Sequence, residues 1–175
     1  QPPEERGSIM RGMRRIQKKT SYDDAREILH QSEYGVLSTT CDDGMPYGVP
    51  LSFVLTGYSI YFHCAVEGQK LDNIAYDTRV CLTAVSRAQS LGEKLTMAYE
   101  SDMAFGTARV VRGEDERQAA LQALAGKYAP ELATEKLDAY LKKWGPDTIV
   151  VRLDVEYISG KENHPEVLTN DSAAE

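Results

Sequence analysis

The stretch Tyr34–Cys64, YGVLSTTCDDGMPYGVPLSFVLTGYSIYFHC, decides the fold. Tyr34–Thr40 alternates and is rich in β-branched residues, which predicts a strand. Asp42-Asp43-Gly44 is a hairpin turn signal, with glycine available for a positive φ. Pro46–Leu55 reads as the return strand. Pro50 lies inside it and lacks an N–H for a ladder, so the strand is placed at a sheet edge or at a bulge. Thr56-Gly57 marks a second tight turn, and Ser59–Cys64 a third strand. The three strands are expected to form an antiparallel meander.

Working outward, Ser21 is placed to cap a helix whose first turn holds Asp23 and Asp24 and whose apolar stripe is Ala25, Ile28 and Leu29. Downstream, Gly68–Tyr76 reads as a short helix and Arg79–Val85 as a strand. Ala104–Arg112 reads as another strand, with a start as early as Thr96. Asp115–Lys127 is an amphipathic helix, and Leu132–Trp144 a second one stopped by Gly145-Pro146. Thr148–Ile158 closes the series as a strand. The polar Ser86–Leu95 segment between strands is expected to be a mobile flap. Hairpin-linked strands with few crossovers imply a mainly β domain with flanking helices, a small barrel or sandwich rather than a doubly wound parallel sheet. Neither a G-x-G-x-x-G nor a phosphate-binding P-loop occurs.

The chain has 175 residues, enough for one domain with its own core. The domain is expected over residues 10–161, with loose polar tails at 1–9 and 162–175. A formal net charge of −7 argues against a general nucleic-acid binder, which needs positive surface. Cys41, Cys64 and Cys81 include no C-x-x-C pair, so reduced thiols in a cytoplasmic protein are expected rather than a disulfide framework or zinc site. No run is long and apolar enough for a membrane helix.

Chemistry concentrates in Tyr61–Ile74, YFHCAVEGQKLDNI. Gly68 just ahead of a helix lets backbone N–H groups approach an anion, the helix terminus adds positive potential, and Lys70 supplies a full charge. That pattern suits a phosphate, and it also suits a solvated surface lysine. His63 ends a strand on the Tyr61 face, with Phe62 and Cys64 on the other. An imidazole there is either a structural hydrogen-bonder or a proton donor active near neutral pH. His30, His63 and His164 show no metal-ligand spacing. Ser52 lies where Pro50 disturbs the edge strand, leaving backbone groups for a flat heterocycle or for ordinary pairing. Tyr99-Glu100-Ser101 and Ser159-Gly160-Lys161 flank strands and face either a pocket or solvent.

Taken together, YGVLSTT, YGVPLSF, IYFHCAVEGQKLDNI, RVCLTAV, FGTARVV and YISGK resemble the pyridoxamine-phosphate-oxidase-like FMN-binding split barrels. Within them they are most similar to the branch of nitroimidazole-resistance flavoproteins, over about Met10 to Lys161. The resemblance implies a six-stranded antiparallel split β-barrel and a homodimer with FMN at the interface. It implies that Val49, Pro50, Leu51, Ser52 and Phe53 lie along the isoalloxazine ring, and that His63, Cys64 and Ala65 line the flavin. Gly68, Gln69 and Lys70 would hold the 5′-phosphate and Ser101 would be a polar flavin contact. Ile158–Lys161 would approach from the other subunit, with Lys161 in the cofactor set. His63 falls at that branch's active-site histidine, facing a small-molecule substrate. Gln69 replaces the arginine of an arginine–lysine pair found in true pyridoxamine phosphate oxidases, and their arginine-rich ending does not follow ISGK. The implied activity is therefore transfer of electrons or hydride from reduced flavin to a small electron-poor acceptor, such as a nitro compound. The alternatives are deazaflavin or haem on the same fold, or a flavin-binding sensor without turnover.

Overall fold

The computed structural model describes residues 11–144 and 147–165; the expected tail 1–9, the Gly145-Pro146 helix stop and most of the 162–175 tail lie outside the described residues. Helix α1 (Tyr22–Gln31) starts as expected: the Ser21 hydroxyl accepts from the Asp24 amide at 3.1 Å, which satisfies one of the first-turn donors. Strands β1 (Gly35–Thr40), β2 (Pro46–Leu51), β3 (Val54–Thr56) and β4 (Ser59–Cys64) follow, then α2 (Gln69–Tyr76). Next come β5 (Arg79–Leu91), β6 (Thr96–Val110), α3 (Glu114–Tyr128), α4 (Thr134–Trp144) and β7 (Ile149–Asn163). Gly44 at φ 84° and Gly57 at φ 60° make the two turns for which glycine was read.

All strands join one antiparallel sheet in the order β2-β1-β5-β6-β7-β4-β3. It is the split barrel, with seven strands where six were expected, because the return strand breaks at Ser52-Phe53. The same break corrects the expected meander. β2 pairs only with β1, whereas β3 and β4 pair with each other and β4 continues onto β7. Pro50 thus sits in an edge strand, as its missing N–H requires. Ser86–Leu95 is also corrected: β5 and β6 pair out to Leu91↔Thr96, so most of it belongs to a two-stranded arm closed by a short turn at Gly92–Lys94.

Two cores form. The larger fills the barrel with Leu37, Phe53, Ile60, Phe62, Leu82 and Leu153, all fully buried, and α1 caps it with Ala25 and Leu29. The smaller lies on the outside of β3, β4 and β7, where Val54 and Val150 meet Ala120, Leu121 and Leu124 of α3. β7 therefore buries both faces at Val150 and Val151, against the simple alternation of a half-exposed strand.

A polar group is buried in the first core. Asp102 of β6 is paired with Gly160 of β7, and its side chain is 1% exposed. The Thr20 hydroxyl occupies the space that a Cβ at Gly160 would need. Among the described residues no side chain pairs with either Asp102 carboxyl oxygen, the Thr20 hydroxyl or the Tyr22 hydroxyl. Burial pushes the Asp102 carboxyl up to about 7, and the nearby amides of Met103 and Ser159 only partly oppose it. An acid whose pKa is higher folded than unfolded binds more protons in the native state between the two values, so stability falls as pH rises through that window. Unfolding free energy is expected to drop by a few kcal/mol, on the order of 4, between about pH 4 and pH 7. Asp102→Asn is expected to remove most of that slope in urea titrations run across the range.

Candidate functional site

β4 places His63 and Cys64 on opposite faces. Cys64 points inward with Ile60 and Phe62, half-buried against the barrel core. Burial raises its thiol pKa, and the Lys70 ammonium opposes that rise, which puts Lys70 beside Cys64. Gly68 caps α2 with φ 141°, a conformation open to glycine and costly for other residues, and its carbonyl accepts from the Leu71 amide at 2.8 Å. No side chain caps the helix, and among the described residues Lys70 makes no ion pair. The Lys70 Nζ lies 3.9 Å from where a Cβ on Gly68 would stand, so ammonium and uncapped helix terminus converge. Gln69 is already engaged: its amide donates to Asn73 Oδ1 at 2.8 Å, and Asn73 donates to Thr39 Oγ1 at 2.9 Å. This chain, buried at its Asn73–Thr39 link, fixes α2 to β1 and leaves Lys70 as the cation at the helix start.

Val49 and Leu51 pack against the barrel core, while Pro50 and Ser52 are exposed. With β1 as its only partner, β2 presents a second edge of unpaired backbone groups. Phe53 differs from its neighbours. Its ring is fully buried, its amide donates to the Tyr128 hydroxyl at 2.9 Å, and its carbonyl accepts from Lys127 Nζ at 2.9 Å. The Tyr128 hydroxyl also lies 2.7 Å from the Glu33 carbonyl. The Lys127 ammonium sits 4.1 Å over the Phe53 ring, and burial lowers its pKa. The expected backbone contact at Phe53 is therefore spent on α3, and the unpaired edge ends at Leu51-Ser52. Reading the sequence missed Lys127 and Tyr128. Their one signal was a polar–aromatic pair ending an amphipathic helix.

His63 pairs with Val150 of β7 and turns outward, towards α3 and α4. It lines a cavity of about 560 Å³ with Ser52, Leu121, Leu124, Ala125 and Leu137 among its walls. Ala65 is exposed in the turn between β4 and α2. Ser101 and Lys161 are paired across β6 and β7, and the Ser101 hydroxyl donates to the Lys161 carbonyl at 3.4 Å. The Lys161 and Lys18 ammonium groups flank the Tyr99 ring at 5.5 and 5.8 Å. β7 carries Ile149 beside Cys64 at one end and Lys161 towards the other. Among the described residues no His, Cys, Asp and Glu cluster could hold a metal ion, and no helix is long and apolar enough to cross a membrane.

The family model for pyridoxamine 5′-phosphate oxidase matches residues 21–162, from the α1 cap to the end of β7. The chain belongs to this pyridoxamine 5′-phosphate oxidase family. The solved structures it resembles share its fold at low identity. One is described as a candidate 5-nitroimidazole antibiotic resistance protein of Bacteroides thetaiotaomicron, 20% identical with a TM-score of 0.67, covering 81% of this chain and 83% of that one. A conserved protein of Mycobacterium tuberculosis is 15% identical with a TM-score of 0.74, covering 86% and 90%. An FAD- and haem-binding protein of Mycobacterium smegmatis is 19% identical with a TM-score of 0.67, covering 84% and 74%. Comparison with curated proteins gives no match. In this family member, the β2–β3 break held by Tyr128 is a measurable feature. Tyr128→Phe leaves the Phe53 amide without its acceptor and is expected to cost about 1–3 kcal/mol in denaturant unfolding.

Proposed function

We propose that the chain is a flavoprotein that binds FMN and passes electrons from the reduced flavin to a small, electron-poor acceptor. The observation that carries this reading is the convergence of the Lys70 ammonium and Gly68 at a start of α2 that no side chain caps, where Lys70 makes no ion pair among the described residues. A 5′-phosphate supplies the anion that suits it. The unpaired edge of β2 from Val49 to Leu51 and the exposed Ser52 after it offer backbone groups that suit the edge of a flat heterocycle. The family and the FAD- and haem-binding protein on the same fold support a flavin as the class of cofactor. Bound flavin supplies the redox chemistry; the chain positions it and controls access. Lys70 with the α2 amides holds the phosphate, the β2 edge orients the ring, and His63 orients the acceptor and donates a proton from its imidazole. Gln69, tied to Asn73, keeps the helix start in place.

The reading includes a homodimer. Ser101 and Lys161 reach a flavin held at Lys70 only from a second copy, and the outer face of β1, β5 and β6 exposes Val36, Val85 and Met103 for such a contact. It also makes the protein a flavin enzyme distinct from a pyridoxine-phosphate oxidase, since Lys70 stands without the arginine at position 69.

Comparison of FMN with riboflavin tests the phosphate site. Wild type is expected to bind FMN the more tightly, and Lys70→Ala to weaken FMN by about 1.5–3 kcal/mol while leaving riboflavin unchanged. Equal loss for both ligands, or none, contradicts the assignment. His63→Ala is expected to keep FMN affinity within about twofold and to lower turnover of a nitroaromatic by about 10²-fold or more. Tight flavin binding by wild type without turnover on nitroaromatics or quinones would instead mark a sensor.

A further inference from the structure

We infer that the cavity between α3, α4 and the outer face of β4 is the acceptor's binding pocket, and that it selects an uncharged aromatic molecule larger than one five-membered ring. Three observations carry this. The volume of about 560 Å³ lies within the roughly 300–1,000 Å³ of sites that enclose drug-sized ligands, and is several times what a single small heterocycle fills. Its helix-side wall is mainly apolar, with Leu121, Leu124, Ala125 and Leu137 beside the rings of Tyr128 and Tyr140. Among the described residues that line it there is no Asp, Glu, Lys or Arg; the Lys127 ammonium is turned away onto the Phe53 carbonyl.

An ionised ligand would lose its hydration there without a counter-charge, so a phosphorylated substrate is excluded by the same physics that admits an apolar ring. His63 and Ser52 line it from the sheet side. His63 makes no hydrogen bond to another described residue, and Ser52 sits beside the Tyr128 hydroxyl. A ligand with a carbonyl or nitro oxygen on one edge and hydrocarbon elsewhere matches that division: oxygen towards the His63 imidazole, rings under α3 and α4. Ser52, where the unpaired edge of β2 ends, lines the cavity, so a ligand in it would lie next to a flavin ring held along that edge. The role as acceptor pocket rests on the flavin reading; binding to the cavity does not.

Quenching of protein fluorescence by 1-nitronaphthalene, 2-methyl-5-nitroimidazole and pyridoxine 5′-phosphate, measured on full-length flavin-free protein, tests the inference. Nitronaphthalene is expected to bind at least roughly tenfold more tightly than the nitroimidazole, from the added apolar area, and pyridoxine phosphate not to compete with it. Ala125→Phe, which fills the cavity from α3, is expected to weaken nitronaphthalene about tenfold or more and to leave FMN affinity unchanged. Leu137→Gln, at a half-buried position of α4, gives the same readout should the larger residue disturb folding. Equal affinity for the two nitro compounds, or folded variants that bind nitronaphthalene as wild type does, overturns the inference. Nitronaphthalene binding in the expected pattern by a protein that takes up no flavin would retain the pocket and remove the flavin reading. FMN binding with no selective nitronaphthalene binding would do the reverse.

Discussion

The hold that α3 keeps on the main chain of Phe53 is the constraint on which the rest of the structure depends. Tyr128 takes the Phe53 amide and Lys127 its carbonyl, at the point where one continuous strand would otherwise have run from Pro46 to Leu55. With these groups withdrawn from any ladder, β2 stays on β1 while β3 turns to β4 at the far side of the sheet. The barrel is thereby left split and β2 keeps a free edge. The Phe53 ring, fully buried in the larger core, anchors the same residue from within. A buried peptide group must be paired somewhere, and here the pairing comes from a helix 75 residues on in sequence.

The consequence for chemistry is a division across β4. Adjacent residues of a strand face opposite ways, so Cys64 looks to the barrel and to Lys70 while His63 looks to the cavity under α3 and α4. One side offers charge and uncapped amides; the other offers an apolar enclosure with a single imidazole. Ser52, just past the free edge of β2, lines the second of these. An elongated cofactor with an anionic end and a flat end, meeting a separate apolar ligand at the flat end, fits this arrangement better than a single compact ligand does.

Much of this was legible in the sequence where the determinants are local. Ser21, Gly44, Gly57 and Gly68 each act within a few residues, through a cap or a positive φ, and each marks the element boundary it was read to mark. The paired faces of Tyr61–Cys64 and the edge position of Pro50 follow from period-two geometry and a missing N–H. What was not legible depends on partners distant in sequence. The meander failed because Tyr128, not the next strand, takes the Phe53 amide. Polar Ser86–Leu95 was read as a flap, yet its backbone is paired across to Thr96–Glu100 and so forms an arm. Asp102 stands at an inward position of an alternating strand, and nothing in its neighbours announces a buried carboxyl. Gln69 entered the phosphate set by resemblance; its side-chain bond to Asn73, itself bonded to Thr39, was not legible because these residues meet only in three dimensions.

The central claim, that the Lys70 end of α2 and the free edge of β2 together hold FMN, is tested most directly by the chromophore that accompanies the purified protein. The expected result is the two-band visible spectrum of an oxidised flavin, with a released ligand of the mass of FMN and loss of that ligand in Lys70→Ala. A Soret band, or a protein that remains colourless after incubation with excess FMN, would contradict it.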